Sequence, residues 1–196
     1  MPIFTKADKK VLFIHIPKTA GISVHHVFAR AGWQIDLEGH VLDHPYYYNV
    51  QGSLNHLCYS ELEEYYNLND FDFVFCVVRN PFARAISEYH WQRRNHDFNL
   101  WFESEINQYR NYHRYMDNHF KPQSEFVGPT SKVYKLEQGF DNILADISQH
   151  VGEPLIFDMP YANESNKTIS VDDIDKSLVY NAYKQDFERF GYDSAR

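Results

Sequence analysis

The stretch Phe71-Asp-Phe-Val-Phe-Cys-Val-Val78 constrains the fold more than any other part of the chain. A strand that is apolar at nearly every position needs cover on both faces, as a central strand of a parallel sheet has. The run stops at Arg79-Asn80-Pro81, and Pro81 suits the first turn of a helix, where its missing N–H is no loss. Beyond it, Phe82, Ala85, Ile86 and Tyr89 recur at i, i+3, i+4 and i+7 and mark the core-facing side of that helix. Arg84, Ser87 and Trp91 fall on a second stripe, roughly opposite.

The rest of the chain agrees with such a sheet. Val11 to Ile16 reads as a buried strand broken by Pro17. After Gly21, the residues Val24, Val27, Phe28 and Ala31 keep helical spacing up to a stop at Gly32. Trp33 to Leu37 reads as the next strand, and strand, tight turn, helix and strand make a βαβ unit with parallel pairing. Residues 38–59 are irregular, with Pro45, Asn49, Gly52 and Asn55 as breakers, the sort of long loop that is usually functional. Ser60-Glu-Leu-Glu63 has the form of a capping box opening a short helix. Helices are expected over 98–109, over 140–151 up to Gly152, and over 171–190 behind the cap Ser170 and Asp173. A further strand covers 132–136, and 111–129 is polar and broken. With 196 residues, the expectation is a single α/β domain over 1–196, a mainly parallel central sheet flanked by helices.

Composition narrows the function. Nineteen basic against 27 acidic residues leave a formal charge of −8, which disfavours nucleic-acid backbones yet allows a local basic pocket. Cys58 and Cys76 are too few for a disulfide framework and fit a reducing compartment. Val11 to Ile16 is too short to cross a membrane and lacks a signal-peptide cleavage pattern, so a soluble, cytoplasmic protein is expected. No oligomeric state can be read from the chain.

Two motifs carry chemistry. The first, His15-Ile-Pro-Lys-Thr-Ala-Gly-Ile-Ser23, sits where a strand turns into a helix. Free amides and the positive end of the helix dipole make such a turn an anion site. Thr19, Gly21 and Ser23 suit close backbone approach and hydroxyl donation, and Lys18 adds a point charge. It is not a Walker A loop, because the lysine precedes the only glycine. The plainer reading is a strand–helix turn with an exposed lysine. In the second motif, Arg79 leaves the carboxyl end of the central strand, where open α/β sheets bind ligands. Ser87 lies about 9 Å further along the helix axis, within reach of an anion shared with a folded-back arginine. The plainer reading makes Arg79 a cap partner and Ser87 a solvated residue.

Together these motifs resemble the sulfotransferases that use 3′-phosphoadenosine 5′-phosphosulfate (PAPS), in particular the carbohydrate branch that includes heparan sulfate 2-O-sulfotransferase. The resemblance implies a P-loop-NTPase-like sulfotransferase fold. It implies that Pro17, Lys18, Thr19, Ala20, Gly21, Ile22 and Ser23 hold the 5′-phosphosulfate, and that Arg79, Arg84 and Ser87 hold the 3′-phosphate. Asn55-His-Leu-Cys-Tyr-Ser-Glu-Leu62 looks like the family's segment with a catalytic histidine, which nominates His56. Likeness continues in Val133-Tyr-Lys-Leu-Glu137, in Asn163-Glu-Ser-Asn166, where Asn166 and Lys167 would close over the nucleotide, and in Asp186-Phe-Glu-Arg-Phe-Gly-Tyr192. Ile22 stands where relatives often carry Thr. Leu54 stands where the heparan enzyme carries an additional histidine. That difference, with the acidic charge, argues against a glycosaminoglycan acceptor.

The implied reaction is in-line sulfuryl transfer from PAPS to a carbohydrate hydroxyl, releasing 3′-phosphoadenosine 5′-phosphate (PAP). Lys18 would stabilise the leaving oxygen and His56 would take the acceptor proton. A sulfuryl group carries less charge than a phosphoryl, so a lysine and backbone donors can replace Mg²⁺. His40 and His44 are secondary candidates for the base, and Glu61 is better explained by capping. No histidine spacing in the chain matches a metal motif, His113/His119 included. Tyr46, Tyr47, Tyr48, Trp91 and Trp101 could stack on sugars, though core packing is the commoner duty of aromatics. The competing readings are a P-loop-like kinase using ATP and a nucleotide- or glycan-binding protein without turnover.

Overall fold

The computed structural model describes residues 2–36, 54–92, 97–112, 114–158 and 169–194. His40, His44, Tyr46, Tyr47, Tyr48, His113, the 163–166 segment and Lys167 lie outside them. Five strands form one sheet: β1 (Ile3–Lys6), β2 (Lys9–Ile14), β3 (Gln34–Asp36), β4 (Phe73–Val78) and β5 (Lys132–Lys135), in the order β3-β1-β2-β4-β5. The helices are α1 (Gly21–Arg30), α2 (Tyr59–Tyr65), α3 (Pro81–Trp91), α4 (Phe98–Asn111), α5 (Phe140–Val151) and α6 (Lys176–Phe190).

The sheet is mixed, which corrects the expectation of a mainly parallel one. β2 pairs parallel with β4, and β4 with β5, but β1 pairs antiparallel with both β2 and β3. The cause is β1, a four-residue strand with too little pattern of its own to mark it. It folds back onto β2 through the two-residue turn Ala7-Asp8, with Ala7 at φ 54. A local hairpin closes at small entropic cost and takes the place beside β2 that a crossover strand would fill. β3 therefore runs parallel to β2 but one strand removed from it.

The apolar run of β4 is covered on both faces. Val74, Cys76 and Val78 join Leu12, Ile14, Leu57 and Leu62 under α2. Phe75 and Val77 join Phe13, Val24, Phe28, Ile143 and Ile147 under α1 and α5. A third cluster, with Phe82, Ile86, Phe102, Phe120 and Phe187, binds α3, α4 and α6 to one another.

Two boundaries also differ from the reading. α2 starts at Tyr59 behind Cys58, and Glu61 accepts the Cys58 N–H at 2.7 Å, so the capping box lies two residues earlier than Ser60. The expected 171–190 helix is divided. Ser170 caps a 3-10 turn at Val171–Asp173, Ile174 is extended, and Asp175 caps α6 afresh by accepting from Ser177. Both cysteines are free and buried. Among the described residues no helix is long and apolar enough to cross a membrane.

Candidate active site

β2 and β4 are adjacent and parallel, so the loops after Ile14 and Val78 leave the same edge of the sheet. Their onward connections diverge, β2 through α1 to β3 at one margin and β4 through α3 and α4 to β5 at the other. Such a divergence opens a crevice at the carboxyl ends of the strands.

The first loop is sharply wound. Lys18 and Ala20 both take left-handed conformations, at φ 67 and φ 69. Each costs about 1–3 kcal/mol in a non-glycine residue and persists only where the surroundings hold it. They do hold it: the Thr19 hydroxyl donates to the Ile16 carbonyl at 2.9 Å, and two arginines grip the loop from across the crevice. α1 then begins with no side-chain cap and no acidic residue in its first turn. Ser23 and Val24 donate to the Ala20 carbonyl, and the Gly21 and Ile22 amides have no backbone acceptor among the described residues, as a helix start that can bind an anion requires. Gly21 is required by packing, since a Cβ there would lie 1.8 Å from Nε2 of His15.

The second loop is joined to the first. Arg79 Nη1 donates to the Lys18 carbonyl at 3.3 Å. Its own backbone is held at both ends by Gln123, whose Oε1 accepts the Arg79 N–H at 2.9 Å and whose Nε2 donates to the Arg79 carbonyl at 2.8 Å. Buried Asp186 on α6 in turn accepts the Gln123 and Ser124 N–H groups, each at 2.8 Å. Glu137, just past β5, accepts the Asn80 N–H at 2.7 Å. The side chain of Asn80 caps α3 by accepting from Phe82 and Ala83.

Arg84 is not on an open stripe, which corrects the reading of α3. It is only 2% exposed, with Nε on the Pro17 carbonyl and Nη2 on the carbonyls of His119 and Lys121. Its guanidinium lies over the Tyr183 ring, so the fold buries it while spending two nitrogens on backbone. The third, Nη1, is buried without a partner among the described residues. Ser87 is half-buried one turn further along α3, and Trp91 is well exposed at its end.

The third component is a column of rings running outward from the sheet. Phe75 stacks on Phe13, Phe13 on His15, His15 meets His56 edge-on at 4.5 Å, and His56 meets His119 edge-on at 5.0 Å. His119 stacks on Trp91, and Nζ of Lys18 lies 4.9 Å over the same indole. Nδ1 of His56 lies 2.8 Å from the His15 carbonyl, which can only accept, so Nδ1 carries the proton and Nε2 the lone pair. Burial, with His15 and His119 nearby, holds His56 well below the ordinary imidazole value. Burial takes His15 down to about 3. Lys18 is lowered to about 8 by burial, with Glu88 opposing and Arg79 adding to the shift.

The model of the sulfotransferase family matches residues 1–193. The chain belongs to that family. No curated protein and no solved structure matches it. In this sulfotransferase the structure brings Lys18, Thr19, Gly21, Arg79, Arg84 and His56 into one neighbourhood. Asn166 and Lys167 lie outside the described residues. Sequence reasoning missed Gln123, Asp186, Glu88 and the place of His119. Asp186 stood in a segment noted for its family likeness, which was a signal. The other three carried none, because these partners lie 31–63 residues away.

Proposed function

We propose that this sulfotransferase moves a sulfuryl group from PAPS to a carbohydrate hydroxyl by in-line displacement. The observation that carries the reading is the hydrogen bond from Arg79 to the Lys18 carbonyl. It makes one crevice of two anion-binding loops, as a donor with phosphates at both ends of its nucleoside requires. The residues fit such a donor. Open amides at Gly21 and Ile22, the Lys18 ammonium, and the hydroxyl of Ser23 suit the phosphosulfate end. Arg79 and Ser87, with the unspent Nη1 of Arg84, suit the 3′-phosphate. In this reading Pro17, Thr19 and Ala20 shape the loop.

Lys18 stabilises charge developing on the leaving phosphate oxygen, the role that a metal ion plays in phosphoryl transfer. Its lowered pKa keeps it mostly protonated at neutral pH, and an anionic donor raises it again. An imidazole takes the proton of the acceptor hydroxyl. His56 is the candidate that the sequence nominates, and its tautomer leaves Nε2 able to accept. No metal ion is needed in this scheme. Incubation with ³⁵S-labelled PAPS and a panel of glycans tests it. Label in a glycan is the expected result. Labelling of the same panel from γ-³²P-ATP, with none from PAPS, would overturn it.

A further inference from the structure

Glu88 lies on α3, one turn beyond Arg84, and its carboxylate is almost fully buried. Oε2 lies 2.8 Å from Nδ1 of His119, and Oε1 accepts from Nε2 of Gln92 at 2.9 Å. A buried carboxylate is costly unless it is paired. Although burial pushes Glu88 up, its hydrogen bond to His119, that residue's charge, Gln92 and Lys18 outweigh it and hold the carboxyl below its usual range. A carboxylate oxygen can only accept, so Nδ1 of His119 donates to Glu88, and in the neutral imidazole Nε2 carries the lone pair. An imidazole oriented by a buried carboxylate, with its other nitrogen free to accept, is the arrangement that activates hydroxyl nucleophiles in hydrolases.

The histidine column gives this pair its place. His56 is buried between His15 and His119, and His119 ends the column, stacked against exposed Trp91 and beside Lys18. The groups facing His119 are Glu88 from α3, His56 from the turn at 54–56, and Lys18 from the loop after β2. Arg84 donates to its backbone carbonyl, and His15 lies one ring further along the column. Only Glu88 among them is an anion. Among the described residues, a proton on His56 has two other imidazoles around it and no carboxylate in contact, whereas a proton on His119 meets a counter-charge already in place.

We propose that His119, oriented by Glu88, is the catalytic base of this sulfotransferase, and that His56 is a positioning residue behind it. The inference rests on the sulfuryl-transfer reading above. As the acceptor oxygen bonds to sulfur and the bond from sulfur to the phosphate oxygen breaks, the hydroxyl proton passes to Nε2 of His119. Glu88 stays ionised and balances the imidazolium. Lys18 neutralises the departing phosphate oxygen.

The test needs no glycan, because water can replace the acceptor: release of ³⁵S-sulfate from labelled PAPS is followed in the wild type and in His119→Ala, Glu88→Gln, Glu88→Asp and His56→Ala. General-base loss predicts a fall of about 100-fold or more in His119→Ala, with PAP binding kept within about threefold. His56→Ala falls less. Glu88→Gln falls and moves the acid limb of kcat/KM to lower pH, since the base loses the anion that favours its protonation, and Glu88→Asp restores part of both. An acid limb unmoved in Glu88→Gln, or turnover kept in His119→Ala and lost in His56→Ala, would overturn the assignment. A separate readout is the imidazole ¹⁵N–¹H spectrum of the apo protein. A downfield Nδ1–H signal from His119 that vanishes in Glu88→Gln is expected, and its absence from the wild type would also overturn the pair. That spectrum judges the dyad even if the wild type neither binds PAP nor turns over PAPS, an outcome that would count against the donor instead.

Discussion

Lys18 joins backbone strain, a lowered pKa and a position over Trp91 in one residue. Because its free-state value is about 8, an anionic ligand that needs the ammonium must drive proton uptake above that pH. PAP affinity, measured by calorimetry, should be flat from pH 6 to 7 and then weaken, by at most about tenfold per unit, above pH 8. Lys18→Met should bind PAP about 10- to 100-fold more weakly, the worth of a charged hydrogen bond, and lose that pH dependence. Gly21 shows a different residue-scale constraint. Its missing Cβ is the space that the His15 ring fills, with that ring already between Phe13 and His56. Gly21→Ala should cost about 1–3 kcal/mol in urea unfolding, the usual range for overpacking. His15→Ala in the same chain should recover part of that loss, whereas simple additivity of the two would show that the ring is not the obstacle.

At the scale of elements, the crevice is held by a brace running from α6 through the 123–126 turn to the end of β4. Asp186 takes two buried amides, and the Gln123 side chain clamps both ends of the Arg79 peptide unit. Asp186→Ala leaves those two amides without partners and should destabilise the fold by about 3 kcal/mol, read from urea denaturation. The same variant should weaken PAP binding although it lies behind the site. What was legible in the chain follows the same division. β4, α3 and α5 were readable because local periodicity and Pro or Gly signals decide them, and α5 was bounded correctly at Gly152. β1 escaped because four residues carry too little pattern and its stability comes from its hairpin partner. The division of the last helix escaped because Asp175 and Ser177 make a second cap inside a segment that keeps helical spacing. Arg84 escaped because a charged residue on a polar stripe is normally solvated, and here three carbonyls from two distant segments receive its guanidinium.

Across the whole molecule, the two sequence motifs proved to be the two loops of one crevice, which no local pattern could establish. Lys18 and Arg79 are 61 residues apart and share a hydrogen bond because β2 and β4 are neighbours in register. The net charge of −8 makes that local cationic pocket more selective, since a polyanion would meet repulsion outside it. Binding of PAP, the product in the proposed reaction, probes the crevice as a unit, both loops at once. Thermal unfolding in the presence of PAP, set against ATP with Mg²⁺ at equal concentration, is therefore the most direct measurement. At a ligand concentration near 100 times Kd, PAP should contribute about 2.7 kcal/mol and raise Tm by about 5–10 °C, with a smaller shift for ATP. An equal or larger shift with ATP, or no shift with PAP, would contradict the assignment of a PAPS-dependent sulfotransferase.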